Sequence, residues 1–160
     1  MKKVCGILEG IIIVLLALVA AILLLPKLFG VQTLAVVSGS MEPNIPVGSI
    51  VFTKEAEEPE QLEEGDIITY SLGSGTYVTH RITENHVDAQ EVITKGDANE
   101  TEDANPVSYE QIVGTCLFHL PLLGYISIYA KTPVGIIAIC GVVIVLILLN
   151  FLPDIFAKEK

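Results

Sequence analysis

The sequence predicts a mostly β protein: a small antiparallel β domain carried between two transmembrane helices. Three observations predict it. Residues 11–25 and 133–149 contain no polar residue. The stretch between these runs has an ordinary soluble composition, although the whole chain of 160 residues is 51% hydrophobic and only 18% charged. Within that stretch, short runs rich in β-branched residues recur between Gly, Pro and Asn, the pattern of a small sheet or barrel. The length allows one small domain with anchors, and so apolar a chain is not a disordered one.

A bilayer-spanning helix needs about 20 mostly apolar residues. Residues 1–9 read as a cytoplasmic N-terminus and residues 10–29 as the first span, lengthened past the apolar run by letting Lys27 snorkel to the headgroups. A cleaved signal peptide is the competing reading, since Lys2 and Lys3 precede the run. No small-x-small cleavage site follows, which favours an uncleaved anchor. Residues 132–152 read as the second span, with Pro133 in a first turn where its missing N–H costs little. Residues 153–160 are then a cytoplasmic tail. Two helices apolar on every face are hard to bury in a soluble protein of this size, so a hairpin of core helices is disfavoured. Lys2, Lys3, Lys158 and Lys160 lie outside the two spans in sequence and only Lys27 and Lys131 lie between them, which puts both termini in the cytoplasm and residues 30–131 on the outer face.

Inside residues 30–131 the expected strands are 33–38, 48–53, 66–71, 77–83, 86–94 and 111–118. Residues 55–64 are acidic and contain Pro59, so they read as a solvated loop. From residue 31 to residue 130 there are 3 basic side chains (Lys54, Arg81 and Lys95) against 16 acidic ones, a net charge of −13. Such a surface repels phosphate backbones and disfavours nucleic-acid binding. No Gly-rich phosphate loop is present. Cys5, Cys116 and Cys140 have no C-x-x-C spacing, so neither a disulfide framework nor a zinc site is implied, and Cys116 reads as a small core residue.

Three stretches could carry chemistry. In Ser38-Gly39-Ser40-Met41-Glu42-Pro43, a β run ends at a glycine, and a serine on such a turn can present its hydroxyl and a backbone N–H together. By itself the hexapeptide is an ordinary strand-to-loop turn. In Thr79-His80-Arg81-Ile82, a strand carries a histidine; imidazole, with a pKa in water of ~6.5, activates a serine without the burial that a lysine requires. His86 and His119 read as ordinary surface histidines. Lys95-Gly96-Asp97-Ala98-Asn99, followed by Asp103, is turn chemistry that can also supply a carboxylate to orient a histidine.

In their order and context these stretches, with Gly65-Asp66-Ile67-Ile68-Thr69-Tyr70, resemble the type I signal peptidases. Histidine at position 80, where most bacterial members have a lysine base, makes the chain similar to the histidine-bearing branch found in the endoplasmic reticulum, in archaea and in some Gram-positive bacteria. The resemblance implies a membrane-bound serine endopeptidase that removes signal peptides from exported preproteins, with Ser40 as nucleophile and His80 as general base. It favours Asp103 as the acidic member and Asp97 as a supporting group, with the Ser38 hydroxyl and the Ser40 N–H stabilising the oxyanion. Ala98 departs from the Asn common in the family. No cofactor and no metal are implied. The implied partners are signal-peptide-bearing preproteins, the lipid bilayer and protein-export machinery, at the cell membrane with the catalytic domain outside. Two other readings stay open: a catalytically silent, membrane-anchored subunit that binds signal peptides, and a surface β-domain scaffold.

Overall fold

The computed structural model describes residues 2–157, with side chains from Lys3 to Phe151. The chain divides into two compact units, one built from its two ends and the other from Pro26–Ile126.

The first unit contains helix α1 (Lys2–Leu24) and helix α3 (Pro133–Ala157). Lys3–Phe29 and Pro133–Phe151 are long and apolar enough to cross a membrane, and almost none of their residues is buried within the protein. Helix α1 begins at Lys2, where no proline or glycine pair interrupts the residues leading into the apolar run. It gives way to a 3-10 turn, Leu25–Phe29, at Pro26. Helix α3 is capped by Thr132, whose Oγ1 accepts the N–H of Gly135 at 3.1 Å. The two helices touch, and the Asn150 amide donates to Glu9 Oε1 at 3.4 Å. Lys158 and Lys160, which enter the orientation argument, lie outside the described residues.

The second unit is a sheet that, among the described residues, has seven strands, all paired antiparallel. They are β1 (Val31–Ala35), β2 (Ile50–Lys54), β3 (Ile67–Gly73), β4 (Thr76–His86), β5 (Glu91–Lys95), β6 (Val107–Ser108) and β7 (Ile112–Leu120). The order across the sheet is β1-β2-β7-β3-β4-β5-β6. A short helix α2 (Leu123–Tyr129) follows β7.

Strand alternation decides what is buried. Ile68 and Tyr70 on β3, Ile82 on β4, Val92 on β5 and Val107 on β6 form one core cluster. Met41, Ile45 and Val51 form a second. His80 shares the inward face of β4 with Ile82, and Thr94 shares that of β5 with Val92. Gly48 starts the approach to β2 at φ +81°, and the ring of Tyr125 lies 2.2 Å from where a Cβ would stand. Any side chain there would displace the ring.

The single strand expected over residues 86–94 is a correction. β4 runs through His86, a 3-10 turn occupies Val87–Ala89, and the chain reverses at Gln90 with φ 54° before β5. No glycine marks that reversal, so the sequence conceals it. The acidic loop contains a turn of 3-10 helix at Pro59–Gln61.

Candidate active site

Ser40 opens the turn between β1 and β2. Its position is set by its neighbours: Met41 and Ile45 are 2% and 0% exposed in the second core cluster and plug the turn into the domain. The N–H of Glu42 donates to Gly39 O and that of Ile45 to Met41 O, closing the turn. The Glu42–Pro43 bond is cis. Ser38 Oγ lies 3.4 Å from Ser40 Oγ.

His80 is 7% exposed. Its Nδ1 lies 2.6 Å from Oδ2 of Asp103. The same oxygen accepts the hydroxyl of Thr94 at 2.6 Å and that of Tyr70 at 3.1 Å. The Asp103 N–H donates to Thr94 O at 2.8 Å, which ties this loop to β5. Burial works to raise the Asp103 carboxyl, but the bonds from Thr94, His80 and Tyr70 outweigh it and hold the group below the ordinary carboxylate value. It therefore stays charged wherever a histidine base operates.

The other ring nitrogen, Nε2, faces the 95–99 loop. A Cβ on Gly96 would stand 3.0 Å from His80 Nε2 and 2.6 Å from Ser40 O, so the imidazole and the serine backbone approach each other across this glycine. The N–H of Ala98 donates to Ser40 O at 2.8 Å. Among the described residues no hydrogen bond joins Ser40 Oγ to His80. Such bonds are commonly long without substrate and tighten when it binds.

Among the described residues no hydrogen bond joins Asp97 to His80. It forms a fork-to-fork pair with Arg81, at 2.8 Å to Nε and 2.7 Å to Nη2, and accepts the Asn44 amide at 2.7 Å. Arg81 also donates to Gly65 O at 2.7 Å. Asp97 thus ties the strand residue next to His80 to the turn that carries Ser40. The Arg81 hydrogen bond is the main reason its carboxyl sits below the ordinary range. A carboxyl lowered in the folded state adds stability above its unfolded pKa, and that stability is lost as pH falls through the lowered folded value. Asp97→Asn is therefore expected to cost about 2 kcal/mol at neutral pH. Its thermal midpoint should also fall less steeply than that of the parent below about pH 5. Parallel melting curves across pH check this; identical slopes would remove Asp97 from the stability account.

The sequence did not single out Tyr70, Thr94, Gly96, Arg81 or Asn44 for a role. Tyr70, Gly96 and Arg81 lie inside quoted motifs; Asn44 and Thr94 carry no local signal. His86 is exposed and pairs with Glu84 at 2.7 Å, which raises its pKa, as for an ordinary surface histidine. Among the described residues no group of three His, Cys, Asp or Glu side chains is placed to hold a metal ion.

A groove of about 320 Å³ runs beside Ser40 between residues 34–38 and residues 75–79, with Met41 and Ile45 at its base. β1 is the first strand of the sheet, so among the described residues its outer edge has no partner strand. β4 pairs with β5 only from Arg81 onward, so residues 76–80 have no β5 partner either.

A family model described as signal peptidase, peptidase S26, matches residues 7–86. Signal peptidase I W of Bacillus subtilis is 39% identical over 89 residues, which is 54% of this chain and 47% of that protein. The signal peptidase complex catalytic subunit SEC11 of Lodderomyces elongisporus is 34% identical over 104 residues, 58% of this chain and 61% of that protein. The SEC11 of Saccharomyces cerevisiae strain YJM789 is 38% identical over 106 residues, 59% of this chain and 62% of its own length. The chain thus covers less than two thirds of these relatives. With half of the sequence matched, from α1 through all of β4, the chain belongs to the signal peptidase family, peptidase S26.

Proposed function

We propose that the chain is a membrane-bound serine endopeptidase that removes N-terminal signal peptides from exported preproteins. One observation carries this reading. In a chain of this family, His80 is held by Asp103 at Nδ1 and turns Nε2 toward the backbone of Ser40.

The chemistry follows from the positions. The residues before the cleaved bond extend along the groove and add main-chain hydrogen bonds to its unpartnered edges. Ser40 Oγ attacks the carbonyl carbon while Nε2 of His80 takes the hydroxyl proton. Asp103 steadies the imidazolium that forms. The Ser40 N–H and the Ser38 hydroxyl meet the developing oxyanion, and one such donor is worth about 3 kcal/mol of barrier. Nε2 then gives its proton to the leaving amine. Water enters and attacks the acyl carbon while losing a proton to the same nitrogen; the acyl group leaves as the acid, and Nε2 returns the proton to Ser40 Oγ.

The two apolar helices support anchoring in a bilayer, and the lysine bias supports an outward-facing domain with both termini inside. The yeast relatives are named as subunits of a complex, so export machinery belongs among the partners to test.

The test is cleavage of a reporter preprotein by the purified full chain. His80→Ala should be inactive, and His80→Lys should not restore the rate, because this acidic domain keeps a lysine charged. Lys54→Met and Lys95→Met should cleave normally, with kcat/KM rising as the imidazole loses its proton. Activity that survives His80→Ala but disappears with either lysine would overturn the assignment of the base.

A further inference from the structure

Oδ2 of Asp103 receives three donors from three adjacent strands. They are Tyr70 on β3, His80 on β4 and Thr94 on β5. We infer that Tyr70 is a positioning residue for the proposed reaction, holding Oδ2 of Asp103 in line with Nδ1 of His80. The inference rests on the Ser40–His80–Asp103 reading and adds to it a residue that the motifs leave without a role.

The carboxylate needs such a hold. The Asp103 side chain is 21% exposed and borders a cavity of about 380 Å³ shared with His80, Val78, Asn105 and Gln111. At such an edge, water competes for the carboxylate oxygens. Two hydroxyl donors beside the imidazole on the same oxygen restrict how the carboxylate can turn. The Tyr70 phenol is suited to this, because its residue is only 5% exposed in the core and its ring meets His80 edge-on at 6.3 Å between centroids. Burial, with Asp103 alongside, pushes its pKa to about 12, so it stays protonated and donates at any working pH.

The phenol also shares the carboxylate's charge. Among the described residues, the titratable groups seen in contact with His80 are Asp103 and Tyr70. Asp97 acts at longer range and is already paired with Arg81. With the phenol removed, the Asp103 charge is less shared and holds the imidazolium more firmly. The base is then freed of its proton only at higher pH. Tyr70 does not line the groove beside Ser40, so substrate binding should not change.

The experiment uses the full chain in detergent micelles with a reporter preprotein. Tyr70→Phe is expected to lower kcat about tenfold, the scale of one hydrogen bond to a charged group, with KM unchanged. The acid limb of its kcat/KM profile should move up by about one pH unit. Thr94→Val should move it the same way, and Thr94→Ser, which keeps the hydroxyl, should leave it in place. Fluorotyrosine placed at position 70 keeps the ring and strengthens the donor, so it should move the limb to lower pH; it also serves if Tyr70→Phe does not fold. An unmoved limb in the folded variants, while Ser40→Ala and His80→Ala are inactive, refutes the inference and leaves the function standing. Activity in Ser40→Ala or His80→Ala refutes both.

Discussion

Replacing Ser40 with alanine is expected to abolish cleavage of a preprotein while the domain stays folded. The expected fall in kcat is ~10⁴-fold or more, the scale for deleting the nucleophile of a serine hydrolase. The structural cost is small. Ser40 is half-buried, and its hydroxyl has one long contact, 3.4 Å to Ser38 Oγ. Met41 and Ile45, which fix the turn, are untouched. The stability change should stay within about 1 kcal/mol. Ser38→Ala should cost less activity, about 10²-fold, because it removes one oxyanion donor and leaves the nucleophile. Kinetics and melting curves on the same preparations separate the two. A well-folded Ser40→Ala protein that still cuts would end the nucleophile assignment.

Gly96→Ala is the second large effect, and it replaces no reacting group. The added methyl would stand 2.6 Å from Ser40 O, 2.8 Å from Asn99 Nδ2 and 3.0 Å from His80 Nε2. The Asn99 amide can swing away. The Ser40 carbonyl cannot move alone, because it is backbone and already accepts the Ala98 N–H. The loop and the serine turn must therefore separate, and the imidazole loses its approach to Ser40. A displacement of about 1 Å costs on the order of 10² in rate, against about 1–3 kcal/mol of stability for overpacking. Gly141→Ala is the control, since nothing lies within 4 Å of its added methyl. A Gly96→Ala enzyme with the parent's kcat would show that the 95–99 loop does not set the distance between base and nucleophile.

The strands were legible where β-branched residues run between glycines and prolines, as in Ile50–Lys54 and Ile67–Gly73. Helix α2 was not, because Leu123–Tyr129 mixes aromatic and β-branched residues that suit a strand equally well, and its seven residues show no clear helical period. β6 has two residues and is defined only by its pairing to β5. At the candidate site, Ser40, His80 and Asp103 could be named because each sits in a compact motif. Tyr70 and Thr94 could not, because an inward-facing hydroxyl on an apolar strand has no local signature. Their convergence on Asp103 depends on the registers that pair Ile68 with His80 and Ile82 with Thr94. The link from Asn44 through Asp97 to Arg81 was hidden for the same reason: it joins side chains far apart in sequence.

On the proposed reading, the separation of Ser40 from Asp103 along the chain also sets when the site can first be assembled. A ribosome delivers the serine turn early and the 95–99 loop with Asp103 much later. Until that later stretch docks, the carbonyl of Ser40 lacks the Ala98 N–H and the imidazole lacks its carboxylate. In the proposed mechanism, catalytic competence therefore waits for residues 95–103, with β6 and β7 still to follow. This delay matters for a peptidase of the proposed kind, whose own first helix is an apolar N-terminal segment much like those it removes. On that reading, a nascent copy has no assembled Ser40–His80–Asp103 set while its own first helix is being made.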